Sequence, residues 1–504
     1  MSNQHTSAAD ADAANLKSMG YEQELHRHMG GFSNFAISFS IICILAGGIS
    51  AFNQGLGAGG GFSLGVGWPV GGLFALIVAM AMAQIASSYP TAGGLYHWSS
   101  TLGGKGYGWI TAWFNLLGLI FVVASVNFGV YDPFFKTLIA PMLGIAPETM
   151  AKTINLGFME LNTFQTGFIA FITILHATLN AYFPKLTTKL TDISGYLIFT
   201  VAVALVVSLL VFSKTPIDIN KLFTFTNFTG TEGSIWPKQE GMLLPFLSGL
   251  IFVCYTITGF DASAHTSEET RNAANTVPKG IINAVLYSVI FGFIMVATFV
   301  LVMPDLAEGV KQGYTFFDAL LHQLPDSLRI ILSIGIFIAN FLCGLACLTS
   351  CSRMMFAFSR DGGLPGSSAL RKIHSMHKTP VTATWVSAIL VIAATLYSDA
   401  FFVLAAGSAV FLYISYVMPV AAGLLAEGKT WKHKGPFNLG GLSKPIALLA
   451  IIGGSVLAFV GMQPPNQKVL YLALIMLAVM AVFWFVFGES KRFQGPPKMD
   501  KSML

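Results

Sequence analysis

The chain has 504 residues, of which 54% are hydrophobic and only 10% are charged, whereas roughly 25% of an ordinary soluble domain is charged. This composition excludes a disordered, collagenous or disulfide-scaffold protein and argues against a large soluble enzyme. The mean hydropathy of +0.68 indicates a polytopic membrane protein instead. The formal net charge of +5 is small for this length and gives no indication of nucleic-acid binding.

Twelve apolar segments follow a polar tail at residues 1–30, which lacks the apolar core of a cleavable signal peptide. Each segment has about 20 residues, the length that spans a bilayer as a helix. The sequence therefore predicts an all-α polytopic membrane protein with 12 transmembrane helices. They cover residues 31–54, 66–89, 107–131, 164–183, 194–213, 242–265, 280–303, 328–357, 381–397, 400–425, 445–463 and 469–488.

The distribution of Lys and Arg predicts the orientation of these helices. An even number of spans places both termini on one side of the membrane, and twenty of the 28 Lys and Arg residues fall on that side. Because cytoplasmic loops carry an excess of these residues, both tails, 1–30 and 489–504, are expected to be cytoplasmic. We therefore expect a multi-pass protein of the cell membrane.

Two of the predicted helices contain interruptions. Gly47 and Gly48 lie within ILAGGISAF in the first segment, and Gly259 lies beside Asp261 in YTITGFDASAH in the sixth. These segments open two five-helix blocks, 31–213 and 242–425, which precede a final pair at 445–488. Interruptions at corresponding positions of two halves point to a transporter binding site between inverted repeats. The alternative is that the glycines allow close helix packing.

Three longer motifs occur in a characteristic order. They are AQIASSYPTAGGLYHW at 83–98, TGFDASAHTSEETRNAANTVPKGI at 258–281, and SRMMFAFSRDGGLPGS at 352–367, which TPVTATW follows at 379–385. Together they resemble amino acid permeases of the amino acid–polyamine–organocation (APC) superfamily. The second motif is similar to the bacterial and fungal branch that contains GABA, choline and polyamine permeases. The resemblance implies five plus five helices in an inverted repeat, two further helices, and transport by alternating access.

Residues at the two interruptions are the candidates for substrate binding. Amides of a half-helix N-terminus in the first segment would attract a carboxylate, and carbonyls at the sixth interruption would accept bonds from an ammonium group. Aromatic faces of this segment would stack on the ammonium. The candidates are Gly47, Gly48, Ser50, Tyr255, Thr258, Gly259, Phe260 and Asp261.

Asp261 is the sharpest of these candidates, because an ionisable group within a membrane segment costs about 2.5 to 3.5 kcal/mol on insertion scales. Its side chain would attract the substrate amine, bind a coupling cation or exchange a proton. Alternatively, Asp261 is the N-cap of a second half-helix. His265 lies one turn later on the same face and is suited either to proton movement or to packing.

Charged residues at the cytoplasmic end of the sixth segment predict an inner gate. Glu268, Glu269 and Arg271 would close the path by pairing with Lys105 or with the region of Arg353 and Arg360. The alternative is a solvated helix end that contributes only to the positive-inside charge pattern.

The sequence is compatible with three modes of coupling. The resemblance implies that hydroxyls of the eighth helix, here Thr349 and Ser350, hold Na⁺ against the first interruption. Some proton-coupled relatives carry a lysine in the fifth helix, but residues 191–205 contain none. Na⁺, H⁺ through Asp261 or His265, and exchange without an ion therefore all stay open. The five cysteines lie in apolar stretches and are interpreted as packing residues, so no metal or resident cofactor is expected.

The sequence therefore predicts a secondary active transporter, working by symport or exchange, for an amino acid or a related small amine: a GABA-like, choline-like or polyamine compound. No HExxH, GxSxG or P-loop motif is present to suggest an enzyme or an ATP-driven pump. The alternative function is a membrane nutrient sensor that binds the same ligands, and the short tails favour transport over sensing. Expected partners are the lipid bilayer and the small substrate, and the oligomeric state stays open.

Overall fold

A computed structural model describes residues 2–155, 157, 160–397 and 401–499. Within these ranges the regular structure is almost entirely helical, apart from one two-stranded antiparallel hairpin. Its strands, β1 (Thr153–Asn155) and β2 (Glu160–Asn162), lie between two long apolar helices. The chain is therefore an all-α protein in its membrane-crossing parts.

The first ten α-helices extend from the N-terminal tail to the end of the fifth predicted segment. They are α1 (Ser2–Ser18), α2 (Gly31–Ile42), α3 (Ile44–Ser50), α4 (Phe52–Gly65), α5 (Gly67–Ser88), α6 (Gly94–Gly103), α7 (Lys105–Gly129), α8 (Pro147–Met150), α9 (Thr163–Tyr182) and α10 (Pro184–Phe212). Helix α7 continues without a break into a π-helical stretch at Val130–Ile139.

The remaining twelve α-helices include the sixth predicted segment, which is split into two pieces. They are α11 (Leu243–Thr256), α12 (Ala262–His265), α13 (Ala273–Val302), α14 (Leu306–Gln312), α15 (Phe316–Leu321), α16 (Asp326–Arg360), α17 (Ser367–Leu370), α18 (Val381–Tyr397), α19 (Phe401–Ala426), α20 (Ser443–Gly461), α21 (Gln467–Ala481) and α22 (Glu489–Arg492).

Ten helices in the described ranges are long and apolar enough to cross a membrane. They cover Gly31–Ser50, Gly67–Ser88, Lys105–Ile139, Thr163–Tyr182, Pro184–Phe212, Ala273–Val302, Asp326–Arg360, Phe401–Ala426, Gly440–Gly461 and Gln467–Val486. Two shorter apolar helices, α11 and α18, accompany them. The protein is therefore a multi-pass membrane protein.

The helices divide into an inner set and a peripheral set. Helices α7 and α19 pack against each other, and α2 is surrounded by α10, α13 and α16. Helix α21 instead leaves Tyr471, Leu474 and Ile475 more than half exposed. Large apolar side chains on the outside are stable only against lipid tails, because water would make their exposure costly. The inner helices therefore carry the functional side chains considered next.

Candidate substrate and coupling site

The sixth segment is interrupted between Thr256, where α11 ends, and Ala262, where α12 begins. Gly259 has a φ of +85°, in the left-handed region that favours glycine. A Cβ on this residue would also come within 2.1 Å of Ile41 Cγ2 in the first segment. Both the backbone conformation and the close approach of the neighbouring helix therefore require glycine here.

The first segment is also interrupted, but at Cys43 and not at the two glycines. Cys43 has a φ of +28° and separates α2 from α3. Gly47 and Gly48 lie inside α3, where the Gly47 amide donates to the Cys43 carbonyl at 3.1 Å. Ser50 is the buried last residue of the same short helix. The expected half-helix N-terminus thus lies several residues before these candidates.

Packing explains why glycines occupy positions 47 and 48. A Cβ on Gly47 would lie 2.9 Å from Thr256 Cα, and one on Gly48 would lie 2.6 Å from Met295 Cε. Glycine in a helix interior costs about 1 kcal/mol relative to alanine, and close contact with α11 and α13 offsets that cost. The glycines bring the two interrupted segments together.

Hydroxyl groups of the first segment satisfy backbone groups exposed by the sixth. Ser38 Oγ donates to the Phe260 carbonyl at 2.9 Å and accepts from the Ser263 amide at 3.0 Å. The Asn34 side-chain amide donates to the Ser263 carbonyl at 2.9 Å. Since unsatisfied backbone groups cost several kcal/mol each in a membrane interior, these contacts stabilise the interruption and hold the two segments in register.

Asp261 lies at this interruption and is completely buried. Its Oδ1 accepts from the Tyr416 hydroxyl at 2.8 Å, and its Oδ2 accepts from the Asn115 amide at 3.0 Å. The His265 Nε2 lies 3.1 Å from the same Oδ2. The carboxyl group makes no hydrogen bond to the amides of α12, although Asp261 immediately precedes that helix. The N-cap alternative therefore describes its position but not its contacts.

Tyr416 on α19 is the residue that sequence reasoning missed at this site. Its hydroxyl accepts from the Gly259 amide at 2.9 Å while donating to Asp261. One turn earlier, the Tyr413 hydroxyl donates to the Ile257 carbonyl at 2.8 Å. The available signal was a pair of tyrosines three positions apart in an otherwise apolar segment, because buried tyrosine hydroxyls need hydrogen-bond partners.

The other candidates of the sixth segment lie around the same interruption. The Tyr255 hydroxyl donates to Ser125 Oγ at 3.2 Å, and its ring packs against Phe401. The Phe260 ring lies 4.7 Å from that of Tyr416. Thr258 Oγ1 is 3.5 Å from the Tyr416 hydroxyl. Aromatic rings and hydroxyls thus surround the Asp261 carboxyl group, with α7 and α19 completing the enclosure.

Shortly after Asp261 in the chain, two glutamates, Glu268 and Glu269, pair with arginines of α16. Both carboxylate oxygens of Glu268 accept from the Arg360 guanidinium, at 2.9 and 3.0 Å. Glu269 accepts from Arg353 Nε at 2.8 Å. Burial alone would raise the pKa of the Glu268 carboxyl, but the charge and hydrogen bonds of Arg360 leave it lowered. Both pairs are buried, which distinguishes them from a solvated helix end.

Two basic residues of the expected gate lie elsewhere. Arg271 is exposed and makes no ion pair with any residue that the structure describes; its amide donates to the Met29 carbonyl at 3.0 Å. Lys105 donates to the carbonyls of Ser490 and Phe493 at 3.0 and 2.9 Å. Lys105 therefore holds the C-terminal tail, while the arginines of α16 pair with the glutamates.

The N-terminal tail covers this pair of ion pairs. The Tyr21 hydroxyl donates to Asp361 Oδ2 at 2.7 Å, and the Arg360 guanidinium lies 4.0 Å above the Tyr21 ring. The Tyr96 hydroxyl donates to the same oxygen at 2.9 Å. Burial raises the pKa of Asp361 to about 6, against the opposing effect of Arg360. We call these residues the cytoplasmic closure, after the side of the membrane on which the Lys and Arg distribution predicts them: Glu268, Glu269, Arg353, Arg360, Asp361, Tyr21 and Tyr96.

Within the described residues, Thr349 and Ser350 make no hydrogen bond to the first interruption. Thr349 Oγ1 donates to Asn180 Oδ1 at 2.6 Å, and the buried Ser350 hydroxyl has no hydrogen-bond partner. Contacts between α16 and the first segment include Cys343 Sγ, 3.4 Å from the Ile41 carbonyl, and the Ala339 carbonyl, 3.9 Å from Cys43 Sγ. The described residues also contain no group of three or more His, Cys, Asp or Glu side chains arranged for a metal ion.

Comparison with known proteins shows the family of this chain. A family profile described as amino acid permease matches residues 29–486, which is nearly the whole chain. The chain belongs to the amino acid permease family. This permease is therefore a membrane transporter and not an enzyme, and its family supports amino acid transport as its activity.

Several characterised or named permeases are similar over most of this chain. Amino-acid permease BAT1 of Arabidopsis thaliana is 33% identical over 88% of this permease and 86% of its own length. The BAT1 homolog of Oryza sativa subsp. japonica is 34% identical, with 88% of each chain covered. The GABA-specific permease of Saccharomyces cerevisiae is 28% identical over 90% of this permease and 78% of its own length.

Proposed function

We propose that this permease is a secondary active transporter that moves an amino acid or a related small amine across the cell membrane by alternating access. The observation that carries the proposal is the buried Asp261 carboxyl group at an interruption of the sixth segment. Its ring of aromatic and hydroxyl groups suits a small amine. The substrate amine would replace one of the present donors to Asp261 when the site opens.

The proposed architecture has 12 spans, with five plus five helices in an inverted repeat and two further helices. It adds α18 and the interrupted α11–α12 segment to the ten long apolar helices. Both termini are proposed to be cytoplasmic, because the loops on their side carry most of the Lys and Arg residues. The cytoplasmic closure then lies on the inner side of Asp261, where alternating access requires a gate.

The proposed substrate class is GABA-like, with choline-like compounds and polyamines as further members. A GABA-specific permease among the relatives supports a substrate whose amine and carboxylate are separated. Asp261 would bind the amine end. A GABA-like zwitterion fits a site with one carboxyl group, whereas a polyamine would need a second acidic partner for its second amine.

Uptake into proteoliposomes tests the proposal. Purified protein is reconstituted, and uptake of labelled GABA, a labelled amino acid mixture, choline and putrescine is measured separately, with the unlabelled compounds as competitors. Saturable uptake of GABA or an amino acid supports the proposal. Absence of both uptake and counterflow for all four would contradict it.

A membrane nutrient sensor is the alternative outcome of the same assay. A compound that raises the thermal midpoint of the purified protein without uptake or counterflow would bind without being transported. That result would favour the sensor. Empty liposomes prepared in parallel give the background leak of each compound.

A further inference from the structure

His265 makes two hydrogen-bond contacts, and together they determine where the imidazole must carry a hydrogen. Its Nδ1 lies 3.1 Å from the Ala92 carbonyl oxygen, and its Nε2 lies 3.1 Å from Asp261 Oδ2. A carbonyl oxygen only accepts hydrogen bonds, so Nδ1 must carry a hydrogen in this geometry. The number of protons on the pair then depends on whether a second hydrogen lies between His265 Nε2 and Asp261 Oδ2.

An ionised Asp261 and a neutral His265 do not satisfy this geometry. With its hydrogen on Nδ1, a neutral imidazole presents a lone pair at Nε2, and a carboxylate oxygen also presents only lone pairs. A second hydrogen must lie between the two atoms, either on Nε2 or on Oδ2. In both cases the pair has no net charge, which agrees with its complete burial, since an isolated buried charge is costly.

We propose that Asp261 and His265 together hold the proton that drives uptake by this permease, and that the backbone of Ala92 links this proton site to the cytoplasmic closure. The inference rests on the proposed transport function and names its coupling ion. It assigns symport with H⁺.

On α19, Tyr416 is the ionisable group that contacts Asp261. The remaining ionisable groups on the elements packed against α12 are Tyr96 and His97 on α6, Lys279 and Tyr287 on α13, Asp326, Arg329, Arg353, Arg360 and three cysteines on α16, and Glu268 and Glu269 after α12. Lys279 is exposed, and Asp326 pairs with Arg329. Both glutamates pair with the arginines, and Tyr96 bonds to Asp361. Burial lowers the pKa of His97 to about 3, so it stays neutral. Among the described residues, Asp261 and His265 instead make hydrogen bonds only to each other and to neutral groups.

Ala92 connects the pair to the closure in two bonds. Its carbonyl accepts from His265, and its amide donates to Glu268 Oε1 at 3.0 Å. The same Glu268 carboxylate holds Arg360 through two hydrogen bonds. A shift of Ala92 therefore changes the contacts of His265 and of the Glu268–Arg360 pair at once.

Loss of the proton supplies the force for such a shift. When the pair transfers its proton to cytoplasmic water, an Asp261 carboxylate and a neutral His265 stay behind with one negative charge between them. Two lone pairs then face each other, so the imidazole turns away from Asp261 or from Ala92. No covalent bond to carbon forms or breaks, and one proton enters the cytoplasm for each one bound outside.

The two hydroxyls expected to hold sodium differ in their contacts. Thr349 Oγ1 donates to Asn180 Oδ1 at 2.6 Å, while the buried Ser350 hydroxyl has no hydrogen-bond partner in the described part of the chain. The experiment below therefore compares a proton gradient with a sodium gradient.

The test uses the full-length protein in sodium-free proteoliposomes, with potassium and valinomycin holding the membrane potential at zero. Labelled GABA is the first probe, followed by the compound of the uptake panel with the highest rate. For one proton per zwitterion, each pH unit of inward gradient supports an accumulation ratio of about ten. Pyranine trapped in the lumen should report acidification when unlabelled substrate is added outside.

Two variants and one control locate the proton. His265→Gln should lower the accumulation ratio to that of equal pH while counterflow continues, because exchange needs no net proton movement. Asp261→Asn should lose accumulation and counterflow together, because Asp261 is also proposed to bind the substrate amine. His176→Asn is the control, since His176 is also completely buried but lies on α9 against Phe341. It should accumulate substrate as the unmodified protein does. Size-exclusion chromatography checks the folding of each variant.

The outcomes separate the proton site from the transport function. Uptake that is unaffected by the pH gradient, or driven by a sodium gradient alone, would overturn the proton site and leave the transport function intact. Proton-driven accumulation by both variants would also overturn it. If the variants do not fold, the pyranine signal of the unmodified protein decides. Absence of both uptake and counterflow in the unmodified protein would overturn the transport function and this inference together.

Discussion

Asp261 and Glu268 are two completely buried carboxyl groups of one short stretch, yet they are stabilised by different chemistry. Glu268 is bound through both oxygens by Arg360, whose guanidinium stays charged at every physiological pH. Asp261 is bound by a hydroxyl, an amide and an imidazole, none of which carries a permanent charge. The Glu268–Arg360 pair is therefore held ionised, while the proposed proton site lies at Asp261.

The two carboxyl groups are also suited to different roles, Glu268 to opening and closing a contact and Asp261 to exchanging partners. A bidentate arginine–carboxylate pair is directional and strong, so it suits a contact that must form and break as a unit. A carboxyl group shared among neutral donors tolerates a change of partner, which substrate binding or proton release demands. Predictions that distinguish the two regions follow in order of expected size.

The largest effect is expected from Glu268→Gln, which leaves Arg360 buried beside a neutral partner. Removing one member of a buried ion pair typically lowers the free energy of unfolding by about 3 to 5 kcal/mol. The double variant Glu268→Gln with Arg360→Gln should recover part of that loss, because no uncompensated charge is left. Thermal unfolding in one detergent measures this for the unmodified protein, Glu268→Gln, Arg360→Gln and the double variant. A double variant less stable than both single variants would contradict the assigned pairing.

At the central interruption, Gly259→Ala should lower the free energy of unfolding by about 2 to 4 kcal/mol, from backbone strain together with overpacking against Ile41. Gly366→Ala is the control for strain: Gly366 also has a positive φ, of +72°, with a ψ of +17°, and an added Cβ meets no atom within 4 Å. It should show the strain alone, about 1 to 2 kcal/mol. Equal losses for the two variants would refute the close approach of the first and sixth segments.

Tyr416→Phe removes one donor to Asp261 and the acceptor of the Gly259 amide. Leaving buried polar groups unsatisfied costs about 1 to 3 kcal/mol. We expect a less stable protein and slower uptake, since the Asp261 carboxyl group and the Gly259 amide each lose a hydrogen-bond partner. Thermal unfolding and initial uptake rates of the two proteins check this. Unchanged stability would contradict both hydrogen bonds of the Tyr416 hydroxyl.

The smallest effect concerns the pH dependence of the cytoplasmic closure. Asp361 has a folded-state pKa of about 6, raised from 3.8 by burial, so its contribution to stability is complete below pH 3.8 and is lost as the pH rises through 6. The unmodified protein should therefore gain about 1 kcal/mol relative to Asp361→Asn between pH 7 and pH 5. Glu268 has a lowered pKa and loses its contribution only at more acidic pH. The free energy of unfolding of the two proteins is measured at several pH values. An equal dependence on pH would show that Asp361 does not titrate in this range.

Hydropathy and glycine placement predicted much of the fold, because both act locally. The ten long apolar helices coincide with segments expected from composition, and the sixth segment is interrupted beside Gly259 as its sequence indicated. The first interruption was misplaced by several residues, since Cys43 carries no sequence signal for a positive φ. Glycines that serve packing and glycines that serve a turn look alike in a sequence.

The N-terminal tail shows the limits of composition. It was predicted as a polar tail, yet Leu16, Met19 and Leu25 are buried against the folded helices. Asp12 accepts hydrogen bonds from the amides of Asn272 and Ala273 at the start of α13. A few apolar side chains in a polar stretch were the available signal, but the amides that bind Asp12 lie 260 and 261 positions away.

The sequence by itself determined that the chain spans a membrane, that its sixth segment is interrupted beside a carboxyl group, and that its motifs resemble amino acid permeases. These are properties of composition and of short stretches. Only the tertiary structure decided which groups face Asp261, since Tyr416 lies 155 positions away and Asn115 lies 146. It also assigned Arg360 to Glu268. Hydrogen-bond partners depend on how distant helices pack, and that packing is set by the whole chain at once.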